Sequence, residues 1–257
     1  MLYVRGTPSV PQRGSALRTR GIAAAALVAA ASLVVPAVAG AGIHPPVGFD
    51  PNKKITDSTS SNWSGYAAIN SRYTSVSASW TQPFASCGPT NTWSSFWVGL
   101  DGYNSNSVEQ TGTSADCSSG IPQYYAWYEM YPKFPKNLNL AIAPGDSISA
   151  SVTTNGNGQF TLTIADSTTG QSYTATQRYK AAQLSSAEVI AEAPSSSSGV
   201  LPLTNFGTVN FAAATANGQP LGSFNPDKID MAANGVTKAS TSALSGGTAF
   251  SVTWKHS

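Results

Sequence analysis

A chain of 257 residues is long enough to bury the core of one large β domain. Charged residues make up 10%, and no basic patch or binding motif stands out, which argues against nucleic acid as a partner. All 12 acids follow residue 41, whereas four of the 14 Lys and Arg precede it, so the rest of the chain carries 10 − 12 = −2 rather than the overall +2.

Residues 1–39 read as a signal peptide. Arg5, Arg13, Arg18 and Arg20 form an acid-free basic start, "GIAAAALVAAASLVVPAVAG" is an apolar stretch, and Ala37-Val38-Ala39 fits a small-x-small cleavage site. Residues 40–60 contain Pro, Gly and the Lys53-Lys54 step without a hydrophobic period, as expected of an extended arm or a short propeptide. The rest, 61–257, reads as one domain. No later apolar run approaches a membrane span. The expectation is a secreted protein with no stable membrane association after cleavage, and a monomer. In that setting Cys87 and Cys117 are expected to pair. The bridge closes a loop of about 30 residues and is worth roughly 3 kcal/mol in the chain-entropy model.

From Asn62 onward short segments rich in aromatic and β-branched residues follow one another. They are "NWSGYAAI", "SVSASWTQP", "TWSSFWVGLDG", "SVEQTGTS", "QYYAWYEMYP", "DSISASVTT" and "QFTLTIAD", then "SYTATQRYK", "AEVIAEA", "GTVNFAAA" and "TAFSVTWK". Gly, Asn, Pro and Ser bound each one, and "TNGNGQ" and "STTGQS" are turns. The pattern predicts an all-β fold, a sandwich of two antiparallel sheets. "SSAEVIAEAP" has some helical propensity, but its β-branched centre favours a strand.

The chemistry is narrowed by what is scarce. His44 and His256 are the only histidines, one in the arm and one beside the C-terminus. A Ser-His-Asp or Cys-His site needs an imidazole in the folded core. The usual His-rich zinc site is disfavoured too, no Asp-x-Asp-x-Asp run suggests calcium, and no phosphate-binding Gly loop is present, so neither metal nor cofactor is expected. Catalysis would have to come from carboxylates, amides and hydroxyls. Acids in strand-like, aromatic surroundings are Asp101, Glu109, Glu129, Glu188 and Glu192. Glu129 is notable because strand alternation sets it on one face with Tyr125, Trp127 and Tyr131.

Several segments together resemble one family. "NWSGY" at 62–66, "FWVGLDG" at 96–102, "QTG" at 110–112, "WYEMYP" at 127–132, "AEVIAEA" at 187–193 and "FGTVNF" at 206–211 stand in the order seen in the glutamic peptidases, the eqolisins or G1 peptidases. The resemblance implies a concanavalin-like sandwich that hydrolyses peptide bonds in proteins or peptides with a Gln and Glu pair. Matched motif by motif, the pair is Gln110 and Glu192, with Trp63, Trp97, Asp101, Glu129 and Tyr131 in support. In such a site a carboxylate takes a proton from water, and an amide stabilises the tetrahedral oxyanion. Two other classes fit the composition: a glycoside hydrolase using Glu129 and Glu192 across a cleft, and a lectin-like binding module. The sequence lacks an E-x-D-x-E arrangement that would favour the first.

Overall fold

The computed structural model describes residues 59–257. The segments expected to be a signal peptide, 1–39, and an arm or propeptide, 40–60, lie outside them except for residues 59 and 60. Among the described residues are thirteen strands of five residues or more. They are β1 (Trp63–Ala68), β2 (Ser75–Thr81), β3 (Ser95–Leu100), β4 (Val108–Ser118), β5 (Ile121–Tyr131), β6 (Ser147–Thr154) and β7 (Gln159–Asp166), followed by β8 (Gln171–Arg178), β9 (Ala187–Glu192), β10 (Thr208–Ala216), β11 (Asp227–Ala233), β12 (Val236–Thr241) and β13 (Phe250–Trp254). Every pairing among these thirteen is antiparallel.

Their order along the sheet is β8-β7-β6-β2-β10-β13-β12-β11-β1-β9-β3-β4-β5. The path folds over at β11. Asp227–Ile229 pair with β1, whereas Met231–Ala233 pair with β12, with a register irregularity between Met231 and Ala232. This makes two layers of one continuous ribbon, with β3 and β4 packed over β6. The alternation in the sequence decides which residues meet between them. Phe96, Val98, Leu100, Tyr128, Met130 and Val189 from one layer join Val76, Trp80, Ile148, Val152, Leu162 and Phe211 from the other.

The predicted sandwich is thus present, and residues 187–192 are a strand, as their β-branched centre implied. The β11–β12 hairpin was not foreseen. Its turn is Asn234-Gly235, both at positive φ (53° and 77°), a strong hairpin signal in an otherwise Ala-, Lys- and Asp-rich stretch. Cys87 and Cys117 form the expected disulfide, with Cα atoms 5.4 Å apart. It ties the segment before β3 to the far end of β4. The helical element among the described residues is a short 3-10 turn, Leu221–Phe224, and no helix there is long and apolar enough to cross a membrane.

Candidate active site

Across β1, β9, β3, β4 and β5 the register lines up three rows on the face turned away from the core. One row holds Trp63, Glu192, Ser95, Ser114 and Tyr125. The next holds Gly65, Ile190, Trp97, Gly112 and Trp127. The third holds Ala67, Glu188, Gly99, Gln110 and Glu129. Directly opposed residues share a face, so Gln110, Glu129, Glu188 and Glu192 project to one side. A separate aromatic cluster of Trp63, Trp97 and Trp127 with Ile190 and Ile229 packs on this same side.

Glu192 is 5% exposed and held at both oxygens. Asn62 Nδ2 donates to Oε1 at 2.9 Å, and the Trp97 indole Nε1 donates to Oε2 at 2.8 Å. Asn62 is itself positioned from behind. The Ser60 hydroxyl donates to Asn62 Oδ1 and accepts from the Asn62 and Trp63 amides. Thr59 and Ser60 pair with Asp230 and Met231, which fixes that anchor to β11. Trp63 meets Trp97 edge to face, with centroids 4.9 Å apart, an arrangement that suits the ring quadrupoles and leaves little freedom for the indole.

Trp97 links the row of Glu192 to the row of Gln110. Its six-membered ring lies over Gly99, where an added Cβ would stand 2.9 Å from Cζ3 and 3.1 Å from the Gln110 Cβ. Its own Cβ crosses Gly112, where a side chain would come within 2.6 Å of it and collide with the Phe96 carbonyl oxygen. Two glycines on neighbouring strands therefore make the groove in which this indole lies flat.

Gln110 is 2% exposed. Its Nε2 donates to Glu129 Oε2 at 2.7 Å, which fixes the amide and leaves its second N–H unspent. Gln110 Oε1 accepts from no described residue, and the Trp127 indole N–H likewise has no partner among them. Glu129 therefore orients Gln110 by a direct bond, which answers why a carboxylate stands in an aromatic strand. Tyr131 is half-buried at the end of β5 and packs against the tryptophan cluster.

Asp101 acts on the approach to β9. Its carboxylate accepts from the amides of Gln183, Leu184 and Ser185, each at 2.8 Å, and from the Ser185 hydroxyl at 3.0 Å. Asp101 N donates to Ser186 O. It thus clamps the segment that leads into β9, the strand carrying Glu192. Further along β4, Asp116 accepts from Ser94 N and the Tyr125 hydroxyl, while burial pushes its carboxyl up to about 7. Among the described residues no cluster of three or more His, Cys, Asp or Glu is placed to hold a metal ion.

The Peptidase A4 family matches residues 61–254, which is most of the chain and all three rows of the site. The chain belongs to that family, the glutamic peptidases. Aspergillopepsin-2 of Aspergillus niger is 30% identical over 217 residues, covering 74% of this chain and 77% of that protein. Scytalidopepsin B of Scytalidium lignicola is 37% identical over 113 residues, 43% of this chain and 42% of that one. Among solved structures, scytalido-glutamic peptidase with a transition state analog inhibitor superposes with a TM-score of 0.67 at 29% identity, over 76% of this chain and 98% of the other. Aspergilloglutamic peptidase from Aspergillus niger gives 0.58 at 30% identity, over 64% and 99%. The glutamic peptidase described here is an endopeptidase, a hydrolase acting on peptide bonds.

Sequence reasoning missed Asn62 and Trp127 as site residues. Asn62 opens the quoted "NWSGY", and Trp127 shares the strand face of Glu129, so both carried a signal. Ser60, which aims Asn62, carried none.

Proposed function

We propose that Glu192 and Gln110 are the catalytic pair of an acid endopeptidase. Glu192, as a carboxylate, takes a proton from water while the water oxygen bonds to the scissile carbonyl carbon. The carbonyl oxygen becomes an oxyanion, and the free N–H of Gln110 donates to it. Gln110 Oε1 accepts from the attacking water. The protonated Glu192 then gives its proton to the amide nitrogen as the C–N bond breaks, leaving an acid and an amine. Acidic medium assists by protonating the departing amine. Asn62 and Trp97 hold Glu192, and Glu129 holds Gln110.

The observation that carries this reading is Trp97, which stands in the row between those of Glu192 and Gln110. Glu192 receives that indole's N–H, and Gln110 lies beside its ring over Gly99. The same reading takes residues 1–39 as a cleaved signal peptide and residues 40–60 as a short propeptide or arm. The protein is then secreted as a monomer and acts on protein or peptide substrates outside the cell. The Cys87–Cys117 disulfide supports an oxidising destination. The test is hydrolysis of denatured protein and of β-glucan at about pH 3–5 by the wild type, Glu192→Gln and Gln110→Ala. Proteolysis lost in both variants is expected. Glucan hydrolysis, or proteolysis surviving both changes, would overturn the assignment.

A further inference from the structure

Gln110 has a neighbour whose burial the mechanism does not explain. Glu109 points to the opposite face of β4 and is 0% exposed. No described N–H or O–H completes a hydrogen bond to either of its oxygens. A fully buried carboxylate without donors is costly, whereas a neutral carboxylic acid is not. Across the strands Glu109 is opposed by Leu100 and Met130, which cannot stabilise a charge. The core-facing positions of β6 and β7, packed on β4, are Ile148, Ala150, Val152, Phe160, Leu162 and Ile164. Asp166 ends that layer beside Ile148, next to Trp80, whose indole bonds Thr113, four residues along β4 from Glu109.

Asp101 follows Leu100, the residue directly opposite Glu109 on β3, and its charge acts on Glu109, while the Ser107 hydroxyl completes no hydrogen bond to it. Asp101 already collects three amides and a hydroxyl, which assigns the negative charge of the pair to it. Those amides belong to residues 183–185, where Leu184 sits at φ +56° to close the nest. Two residues later β9 begins, and its last residue is Glu192.

We propose that Glu109 is a positioning residue for the proteolytic reaction: held as a neutral acid, it donates its proton to Asp101 and so steadies the clamp at the root of the strand that presents Glu192. Loss of that proton sets two buried carboxylates against each other and loosens the clamp, which gives the enzyme a built-in upper pH limit. Burial first, and the Asp101 charge second, push the Glu109 carboxyl up to about 8. The folded form therefore keeps a proton that the unfolded chain loses in the ordinary carboxylate range. The stabilising contribution is complete below about pH 4 and is lost as pH rises through about 8.

The role of β9 rests on the assignment of Glu192 above; the protonation of Glu109 does not, and the experiment separates them. Unfolding free energy of the secreted enzyme is measured from about pH 4 to 9 for the wild type, Glu109→Gln and, as a control, Asp116→Asn. The amide mimics the neutral acid and cannot ionise. Around pH 6 the wild type is expected to release about one more proton on unfolding than Glu109→Gln does. Proteolytic half-life during incubation at about pH 8.5 is expected to be at least ~3-fold longer for Glu109→Gln. Equal proton release would overturn the neutral-acid assignment. A changed proton release with equal half-lives would overturn the positioning role alone. Should Glu109→Gln fail to fold, infrared spectra of Asp116→Asn decide the matter. A buried carboxylic acid band persisting at pH 7 and titrating near 8 supports the proposal, and its absence contradicts it.

Discussion

The two faces of the layer made by β1, β9, β3, β4 and β5 are almost equally buried yet built for opposite ends. Toward the core, Phe96, Val98, Leu100, Tyr128, Met130 and Val189 are packed against a second layer. Away from it, Glu192, Gln110 and Glu129 are no less enclosed, but each meets a polar partner between tryptophans. The same alternation produces both faces, because successive residues of a strand point to opposite sides. Burial in itself does not mark a structural residue here. What differs is whether the buried group is matched by packing area or by directed hydrogen bonds.

Breaking the polar face should cost activity with little loss of stability. Glu192→Gln keeps the shape and removes the proton acceptor, so kcat on a peptide substrate should fall by about 10³-fold or more, with an unchanged unfolding midpoint in denaturant. Gln110→Ala should follow with a loss of about 10²–10³-fold. Trp97→Phe keeps most of the aromatic contact but deletes the donor to Glu192, a loss of about 1.5–3 kcal/mol for a bond to a charged group. That is read as roughly 10- to 100-fold in kcat/KM.

Breaking the apolar face should do the reverse. Phe96→Ala empties space between the layers and should lower unfolding free energy by about 3–5 kcal/mol, measured by denaturant titration. The turnover of the fraction that remains folded should stay close to the wild-type value. The smallest effect is expected at the end of the polar face. Asp116 is protonated in the fold up to about pH 7, because burial outweighs the bonds from Tyr125 and Ser94. Its raised value means that stability is complete below the ordinary carboxylate range and declines as pH climbs through about 7. Asp116→Asn should flatten that decline in a plot of melting temperature against pH.

The apolar face was the easier one to read in advance. Phe96, Val98 and Leu100, or Tyr128 and Met130, announce a core position by their chemistry and spacing. On the other face, the motifs pointed to Trp97, Gln110, Glu129 and Glu192, but their bonds did not show in the sequence. Asn62 meets Glu192 across 130 residues of chain, and Asp101 meets residues 183–185 from more than 80 away. Local pattern carries no information on such partners. Glu109 shows the limit most clearly: "SVEQTG" marks it only as an acid in strand-like surroundings, and the twofold alternation measured from Gln110 turns it into the core. The β11–β12 hairpin failed for another reason. β11 holds Ile229 as its one β-branched residue and neither strand holds an aromatic, so the Asn234-Gly235 turn was the strongest cue.

The central claim is that Gln110 and Glu192 act on one reacting centre. A double-mutant cycle in kcat/KM on a single peptide substrate tests it most directly, comparing Glu192→Gln, Gln110→Ala and the double variant with the wild type, all confirmed as folded. Residues that serve one transition state are strongly non-additive. The account predicts that the double variant is no more than about 10-fold slower than Glu192→Gln alone. A double variant showing the full product of the two separate losses would mean that the two side chains work independently, and would contradict it.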